Sequence, residues 1–180
     1  MKLEDARVLA NRVLDAIAPL VDWAEVAGSI RRERPEVNDI DIVAIPKTLT
    51  RSTPLSPVVY VGESIVWQQI IPDTLMKKLG LIDHQRGQEL LRLSFPENRF
   101  PVDIYRARDE TWGVIFLIRT GSKEHNVKLC SLARSKGLKL SARQGLVTQD
   151  GFGQIIASKT EEEIFAALGL AYVEPKNREV

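Results

Sequence analysis

Apolar residues recur at two different spacings along the chain, and the spacing predicts where helices and strands lie. Residues 4–21 place Val, Leu and Ile three or four positions apart, which predicts an amphipathic helix. Residues 46–62 have weak periodicity and many Pro, Ser and Thr residues, which predicts a loop with a short strand at 58–61. Residues 63–80 have mixed helical character. Shorter apolar runs predict strands at 23–27, 38–45, 88–95 and 101–105.

The pattern changes after residue 108. Residues 111–118 are an apolar run typical of a buried helix. Ser122 is placed to cap a helix over 123–136, and Thr160 opens a later short helix with a capping box. Short β-prone segments lie between these helices, at 138–140, 145–147 and 154–157, with a hairpin turn at Asp150-Gly151. The change predicts two lobes, an α/β lobe before residue 108 and a smaller α+β lobe after it.

Two aspartates alternate with isoleucines on the predicted strand 38–45. Residues two apart on a strand share a face, so Asp39 and Asp41 point one way while Ile40 and Ile42 point into the core. Two carboxylates on one face repel each other and raise each other's pKa. A divalent cation relieves that repulsion, and magnesium suits a few carboxylates because water and phosphate oxygens complete its shell.

A possible phosphate site precedes these aspartates. The turn Gly28-Ser29 offers backbone N–H groups and a hydroxyl, and Arg31, Arg32 and Arg34 supply positive charge. A third aspartate, Asp103, alternates with apolar residues on the strand predicted at 101–105. If that strand neighbours strand 38–45, all three carboxylates meet at one edge of the sheet. The alternative is that Asp39 and Asp41 are solvated and paired with arginines of this stretch.

Composition narrows the class of protein without deciding it. The chain of 180 residues is 44% hydrophobic and 27% charged, which is ordinary for a globular protein. No apolar run reaches the roughly 20 residues that span a bilayer, and the first residues do not resemble a signal peptide. The single cysteine, Cys130, fits a reducing, intracellular location, and with two histidines a structural zinc site is improbable. The formal charge of +1 does not exclude nucleic acid as a partner.

Four separated motifs make the chain resemble the family X DNA polymerases, the nucleotidyltransferases that include DNA polymerase beta. The motifs are Gly28-Ser29 with Arg31-Arg32, Asp39-Ile40-Asp41, Val102-Asp103-Ile104, and the turn Thr120–Asn126, followed by a matching C-terminal segment. The resemblance implies an α+β fold. A nucleotidyltransferase palm (a mixed sheet with flanking helices) would occupy residues 1–108, and a small α+β thumb with a nucleotide-binding turn would occupy 109–180. We expect the minimal form of the family, with palm and thumb alone.

The resemblance also assigns roles to individual residues. Asp39 and Asp41 would hold two magnesium ions, for which manganese could substitute, and Asp103 would join the catalytic one. These three would be the catalytic residues. The nucleotide-binding residues would be Gly28, Ser29, Arg32, Arg119, Gly121, Ser122, Lys123 and Asn126. The DNA-binding residues would be Lys128, Arg134, Lys136, Lys139 and Arg143.

Some of these residues also have an alternative interpretation without a binding role. Lys123 and Asn126 could belong to an exposed first helical turn, and the basic residues after them could be a solvated helix face. Two positions depart from the family pattern. Ile118 and Arg119 replace an aromatic residue that helps to exclude ribonucleotides, and Pro101 replaces an arginine that usually precedes the third aspartate. We hypothesise that Arg119 contacts phosphate or template; its alternative is an ion pair with a palm carboxylate.

The implied activity is DNA-directed transfer of nucleotides to a primer 3′-hydroxyl, by two-metal phosphoryl transfer, in short-gap filling or repair. The implied partners are a DNA primer-template or gapped DNA and a dNTP, with an NTP still open, and no membrane. We expect a monomer. The alternatives are a template-independent or RNA-directed transferase and, from another class, a non-catalytic nucleic-acid-binding module.

Overall fold

The structure of the chain is a computed structural model that describes residues 1–53, 56–150 and 152–179. Helices and strands follow one another in mixed order from the first residues to the last. The helices are α1 (Leu3–Ile17), α2 (Gly28–Arg31), α3 (Glu63–Ile65), α4 (Ile71–Leu79), α5 (Trp112–Thr120), α6 (Lys123–Ser135) and α7 (Glu161–Ala167). The strands are β1 (Val21–Val26), β2 (Ile40–Pro46), β3 (Leu49–Thr53), β4 (Ser56–Val61), β5 (Ile82–Arg86), β6 (Leu90–Ser94), β7 (Pro101–Arg106), β8 (Leu138–Ser141), β9 (Gly145–Thr148) and β10 (Ile155–Ala157). A π-helical turn at Val66–Ile70 joins α3 to α4, and 3-10 turns lie at Ala18–Leu20, Asp109–Thr111 and Pro175–Asn177.

The chain divides into two compact units, and the first contains the larger sheet. This unit, the sheet unit, comprises Met1–Val26 and Glu36–Arg106. Its five strands run in the order β1-β2-β7-β6-β5. Strands β2 and β7 are parallel, while the other neighbouring pairs are antiparallel. The sheet is therefore mixed, as the resemblance implied.

The core of the sheet unit follows from the alternation along its strands. Ile40 and Ile42 are fully buried, as are Leu91 and Leu93 on β6 and Ile104 on β7. Each such side chain contributes about 1.5–3 kcal/mol relative to leaving it in water. Helix α1 packs against β1, β2 and α4, and so covers the sheet with its apolar stripe. The residues between the isoleucines of β2 are consequently left on the other face.

The second unit, the C-terminal unit, comprises Ala27–Pro35 and Ala107–Val180. Its antiparallel sheet has the order β10-β9-β8, with α6 against β8 and α5 against α7. Helix α2, from the early segment, packs against α5. Val114 and Leu117 of α5, Leu146 of β9 and Phe165 of α7 are buried in its core. A short segment from early in the chain is thus built into a unit that is otherwise C-terminal.

Helix starts that the sequence indicated are confirmed by hydrogen bonds. The Ser122 hydroxyl accepts from the His125 N–H at 3.1 Å and caps α6. The Thr160 hydroxyl accepts from the Glu163 N–H at 3.1 Å and caps α7. The predicted hairpin between β9 and β10 is present, although Gly151 of its turn lies outside the described residues.

Two local predictions were wrong or incomplete. The loop predicted for 46–62 is mostly an antiparallel hairpin of β3 and β4, although residues 54 and 55 lie outside the described residues. Its β-branched residues satisfy their backbone groups across the pair, which overrides the turn-forming composition. Strand β5 was missed because it is an edge strand whose residues are mostly polar, so no apolar alternation announces it. In the part of the chain that the structure describes, no helix is long and apolar enough to cross a membrane.

Candidate functional site

The parallel pairing of β2 with β7 brings two of the three aspartates side by side. Asp41 and Asp103 are direct partners in the register of these strands. Residues paired in this way share a face of the sheet. Asp39 lies one residue before β2 begins, and both it and Asp41 are half-buried. The expected adjacency of the two strands is therefore confirmed.

Asp103 is held by an arginine that the sequence did not point to. Asp103 is 6% exposed. Both of its carboxylate oxygens accept hydrogen bonds from Arg92, one from Nε at 2.8 Å and the other from Nη2 at 2.7 Å. The Tyr105 hydroxyl donates to Oδ2 at 3.3 Å. Arg92 lies opposite Asp103 in the antiparallel pairing of β6 and β7. These hydrogen bonds to Asp103, and then the charge of Asp103, raise the pKa of the Arg92 guanidinium.

The carboxylate oxygens at this edge suit a divalent cation, and the Arg92 guanidinium already places a positive charge against Asp103. Carboxylate oxygens on neighbouring strands are the ligands that magnesium prefers. Among the described residues, however, no three His, Cys, Asp or Glu side chains lie close enough together to hold a metal ion. Both Asp103 oxygens already accept hydrogen bonds from one guanidinium. The metal roles of Asp39, Asp41 and Asp103 stay predictions.

In the C-terminal unit, Arg31 is committed to a glutamate far along the chain. Its Nη1 and Nη2 each donate to a carboxylate oxygen of Glu161 at 2.8 Å, and Nη1 also donates to the Thr120 hydroxyl at 2.7 Å. The guanidinium lies 3.7 Å from the centre of the Phe116 ring. This stacked and bidentate geometry suits arginine specifically. Arg31 is thus a structural residue of this unit.

Glu161 has a second arginine on the same carboxylate. Arg178 is completely buried and donates to Oε1 at 2.7 Å and to Oε2 at 3.1 Å. The Tyr172 hydroxyl donates to Oε2 at 3.2 Å. Burial alone would raise the pKa of Glu161, but the hydrogen bonds and charges of Arg31 and Arg178 outweigh it and lower the pKa. The carboxylate is therefore ionised at neutral pH, and each of its oxygens accepts hydrogen bonds from both arginines.

Arg32, a predicted nucleotide contact, has protein partners at two of its guanidinium nitrogens, Nε and Nη1. Nη1 donates to the Thr120 carbonyl at 2.5 Å and to the Gly121 carbonyl at 3.0 Å, and Nε donates to the Glu179 carboxylate. Arg34 lies 3.6 Å from the same carboxylate. A carboxylate between two arginines is chemically similar to a bound phosphate oxygen. Glu179 therefore occupies the anion position that the sequence predicted for a nucleotide.

Two polar atoms near the predicted nucleotide contacts are buried without a hydrogen-bond partner among the described residues, Ser29 Oγ and Asn126 Oδ1. Ser29 follows Gly28, whose φ of 58° favours glycine. The Asn126 amide donates to the Ile118 carbonyl at 2.8 Å. A Cβ on Gly121 would lie 2.2 Å from Asn126 Oδ1, so only glycine fits this turn. Unsatisfied buried polar groups cost about 1–3 kcal/mol each, so a ligand that hydrogen-bonds to them would bind favourably.

The positions of the remaining predicted nucleotide-binding and DNA-binding residues do not test their roles. The Ser122 side chain caps α6, and Lys123 and Arg119 are exposed. Arg119 has an interaction within the chain, so its hypothesised role with phosphate or template gains no support from its position. The five predicted DNA contacts are all exposed, on α6, on β8 or in the turns that follow them: Lys128, Arg134, Lys136, Lys139 and Arg143.

Comparison with known proteins finds a family model and two DNA polymerases that the chain is similar to. Residues 115–179 match the family described as DNA polymerase beta thumb. DNA polymerase lambda of Rattus norvegicus is 27% identical over 162 residues, which covers 84% of this chain and 28% of that protein. The DNA polymerase/3'-5' exonuclease PolX of Bacillus subtilis (strain 168) is 27% identical over 153 residues, covering 85% of this chain and 24% of the relative.

The relationship confirms the resemblance and the α+β fold class drawn from the motifs. Residues 115–179 are a thumb of the polymerase beta type. The chain nevertheless spans only about a quarter of the length of the curated relatives that it matches. The matched length does not carry over the activities of those longer proteins. It does make the aspartate edge and the arginine-rich segment the places to look for a family X activity.

Proposed function

We propose that the chain is a divalent-metal-dependent nucleotidyltransferase that adds nucleotides to the 3′-hydroxyl of a DNA primer. The observation that carries this proposal is the register of Asp41 and Asp103 on parallel strands, in a chain related to family X polymerases. An isolated Asp-X-Asp would not support it. A buried carboxylate facing a second one on the next strand is costly, and a metal function gives a reason for the cost.

In this proposal the sheet unit supplies the metal ligands. Asp39 and Asp41 would hold two magnesium ions, with Asp103 as a further ligand of the one nearer the primer. The ions, when bound, would lower the pKa of the attacking hydroxyl and neutralise the leaving pyrophosphate. Arg92 and Tyr105 orient the Asp103 carboxylate through their hydrogen bonds to it. The primer hydroxyl would therefore meet a preformed negative edge.

The C-terminal unit would supply the contacts to the incoming nucleotide. Ser29 would donate its hydroxyl to a phosphate oxygen, and Arg32 would move from Glu179 to the triphosphate. Asn126, held to the Ile118 carbonyl, would present its unpartnered Oδ1 to a donor on the nucleotide. Gly121 leaves the space beside that amide. These contacts orient the nucleotide and add charge neutralisation, the two effects on which phosphoryl transfer depends.

Extension of a labelled primer tests the proposal. The chain is incubated with a gapped duplex or with a single-stranded primer, in magnesium or manganese, with dNTPs or NTPs. We expect templated addition to the gapped duplex and its loss in Asp41→Asn. Asp22→Asn, which removes an exposed aspartate on β1, is the matched control and should keep full activity.

The outcomes separate the proposal from its alternatives. Addition that ignores the templating base would replace it with a template-independent transferase. A preference for RNA primers or NTPs would change the proposed substrate and leave the proposed metal site as it is. No addition to any primer, under conditions in which the wild-type chain is folded, would contradict the enzymatic proposal altogether.

A further inference from the structure

The turn between β9 and β10 holds an aromatic ring in solvent. Phe152 is 91% exposed, the highest value among the large apolar side chains in the described residues. Ile155 and Ile156, a few positions later, are 57% and 45% exposed. Exposed apolar residues are ordinary one at a time, but a nearly bare phenyl ring beside two isoleucines is not. A ring this exposed is a candidate binding surface.

Hydrogen bonds join several described residues of this turn. The Thr148 hydroxyl donates to Asp150 Oδ1 at 2.6 Å, and the Phe152 N–H donates to the same oxygen at 3.1 Å. The Gln154 N–H donates to the Thr148 hydroxyl at 3.0 Å, and the Thr148 N–H donates to the Gln154 carbonyl at 2.9 Å. Phe152 is thus connected through Asp150 to Thr148, on the strand before the turn.

The charge around this turn identifies the chemistry of the partner. Residues 127–159 contain six lysine and arginine residues and a single aspartate, a formal charge of +5, so the rest of the chain carries −4. All six cations are exposed, and none forms an ion pair with a carboxylate in the described part of the chain. A dense set of cations without internal partners is the electrostatic signature of a polyanion site.

Two of these cations lie at the same end of the small sheet as the aromatic ring. Leu138 pairs with Thr148 in the register of β8 and β9, and the Gln149 N–H donates to the Gly137 carbonyl at 2.9 Å. Lys136 and Lys139 flank that connection. Positive charge beside an exposed ring is the arrangement with which proteins bind single strands, because phosphates meet the cations and a base stacks on the ring.

The size of the apolar patch favours a base over a protein. A stable protein interface buries about 800 Å² on each partner. A fully exposed phenylalanine contributes about 150–250 Å², and the two half-exposed isoleucines add too little to reach that figure. One nucleobase needs only one ring.

We propose that Phe152 stacks against an unpaired base of single-stranded nucleic acid, with Lys136 and Lys139 holding the adjacent phosphates. This deepens the proposed function by giving the acceptor or template strand a contact away from the chemistry. The binding step requires neither metal ion nor nucleotide. It can therefore fail while primer extension succeeds, or succeed while extension fails.

The test measures the binding of a labelled oligothymidylate of about ten nucleotides. Fluorescence anisotropy reports the binding, at low salt and without metal or nucleotide. Stacking contributes about 1–3 kcal/mol per base, so we expect Phe152→Ala to weaken binding by about tenfold. Phe152→Tyr and Phe152→Trp should bind within about twofold of wild type, because each keeps a π-face. Val127→Ala, which truncates another exposed apolar residue of the same basic segment, is the matched control and should bind as wild type.

Two further measurements separate stacking from general attraction. In Phe152→Trp, oligothymidylate should quench more fluorescence than it does in the wild-type chain, whose own tryptophans provide the baseline. Lys136→Gln with Lys139→Gln should weaken binding and lower its salt dependence, while quenching at saturation in the Phe152→Trp background stays the same. The matching oligouridylate shows whether the strand is DNA or RNA.

Several results would overturn the proposal. Wild-type affinity in Phe152→Ala would do so, and would leave a protein as the partner of the exposed ring. Full rescue by Phe152→Leu would show that the contact is apolar without being aromatic. An equal loss of affinity for a blunt duplex of the same length would also contradict stacking, because its bases are already paired and stacked.

Discussion

Arg92 and a metal ion are predicted to compete for Asp103, and Arg92→Gln measures that competition. The arginine gives Asp103 two charge-assisted hydrogen bonds of 2.8 and 2.7 Å. Glutamine keeps part of the side-chain packing and removes the charge. The variant therefore leaves a buried carboxylate beside Asp41, to which the Tyr105 hydroxyl still donates.

The size of the effect follows from the burial of the two partners. Breaking a fully buried ion pair costs about 3–5 kcal/mol, and an exposed pair contributes about 0–1 kcal/mol. Here the Asp103 side chain is 9% exposed and that of Arg92 is 49% exposed. Solvent screening at the arginine places the loss at about 1–2 kcal/mol. For a chain of this size that lowers the melting temperature by roughly 2–8 °C in the absence of divalent ions.

Manganese binding should change in the opposite direction. Without Arg92, a cation meets Asp103 free of its competing partner, so the dissociation constant for manganese should fall by about tenfold, which corresponds to about 1.4 kcal/mol. Saturating manganese should then restore much of the lost stability, because a ligand bound only by the folded state stabilises it. Free manganese can be counted by electron paramagnetic resonance, and stability followed by circular dichroism, with no need for turnover.

Arg86→Gln is the matched control, since Arg86 pairs with Asp83 and with Asp73 at 2.9 Å in the same unit. It should lower the melting temperature without changing manganese affinity. An unchanged or weakened manganese affinity in Arg92→Gln would refute the reasoning. Such a result would mean that the arginine orients Asp103 for the metal and does not compete with it.

Three further substitutions test the C-terminal unit. Glu161→Gln should lower the free energy of unfolding by about 3–5 kcal/mol, measured by urea denaturation, because two arginines lose a shared carboxylate. Since the pKa of Glu161 is lowered on folding, its contribution is present above the unfolded value of 4.5 and is lost as pH falls below it. Gly121→Ala should weaken nucleotide binding by about tenfold or more, measured by calorimetry, because its Cβ would overlap the facing amide. Glu179→Gln should tighten triphosphate binding by a few-fold, because Arg32 no longer has to leave a carboxylate.

Each of these substitutions has a control or a contrary outcome. Glu163→Gln, on the exposed side of α7, should leave stability and its acid dependence unchanged. A Glu161→Gln chain that keeps the wild-type loss of stability below pH 4.5 would assign that loss to other groups. Gly137→Ala should destabilise the chain because Gly137 has a φ of 70°, which alanine rarely adopts. It should not alter nucleotide affinity, because the space around Gly137 is open. Weaker triphosphate binding in Glu179→Gln would mean that the carboxylate positions Arg32.

Local pattern was enough to predict most of the elements and the aspartate pair. Alternating aspartate and isoleucine marked β2, and hydroxyl caps marked α6 and α7, because these signals depend on neighbours in the sequence. Strand β5 lacked such a signal, because an edge strand with one neighbour tolerates polar residues on both faces.

The partners of the charged residues could not be predicted in the same way. Nothing near Arg92 indicates that β6 will place it opposite Asp103, since the register is decided by the whole sheet. Arg31 was expected to neutralise phosphate, and its commitment to Glu161 depends on a contact between distant segments. The family resemblance supplied roles for site residues, but it could not show that Glu179 lies against Arg32.

The sharing of Glu161 by two arginines also sets an order for biosynthesis. Arg31 leaves the ribosome 130 residues before Glu161, and Arg178 follows 17 residues later. At about 5–20 residues per second, the early segment waits roughly ten seconds for its carboxylate. During that interval the Arg31 side chain lacks the carboxylate that it pairs with in the folded chain. The C-terminal unit is therefore completed only after Arg178 has been made, however early its first residues are made.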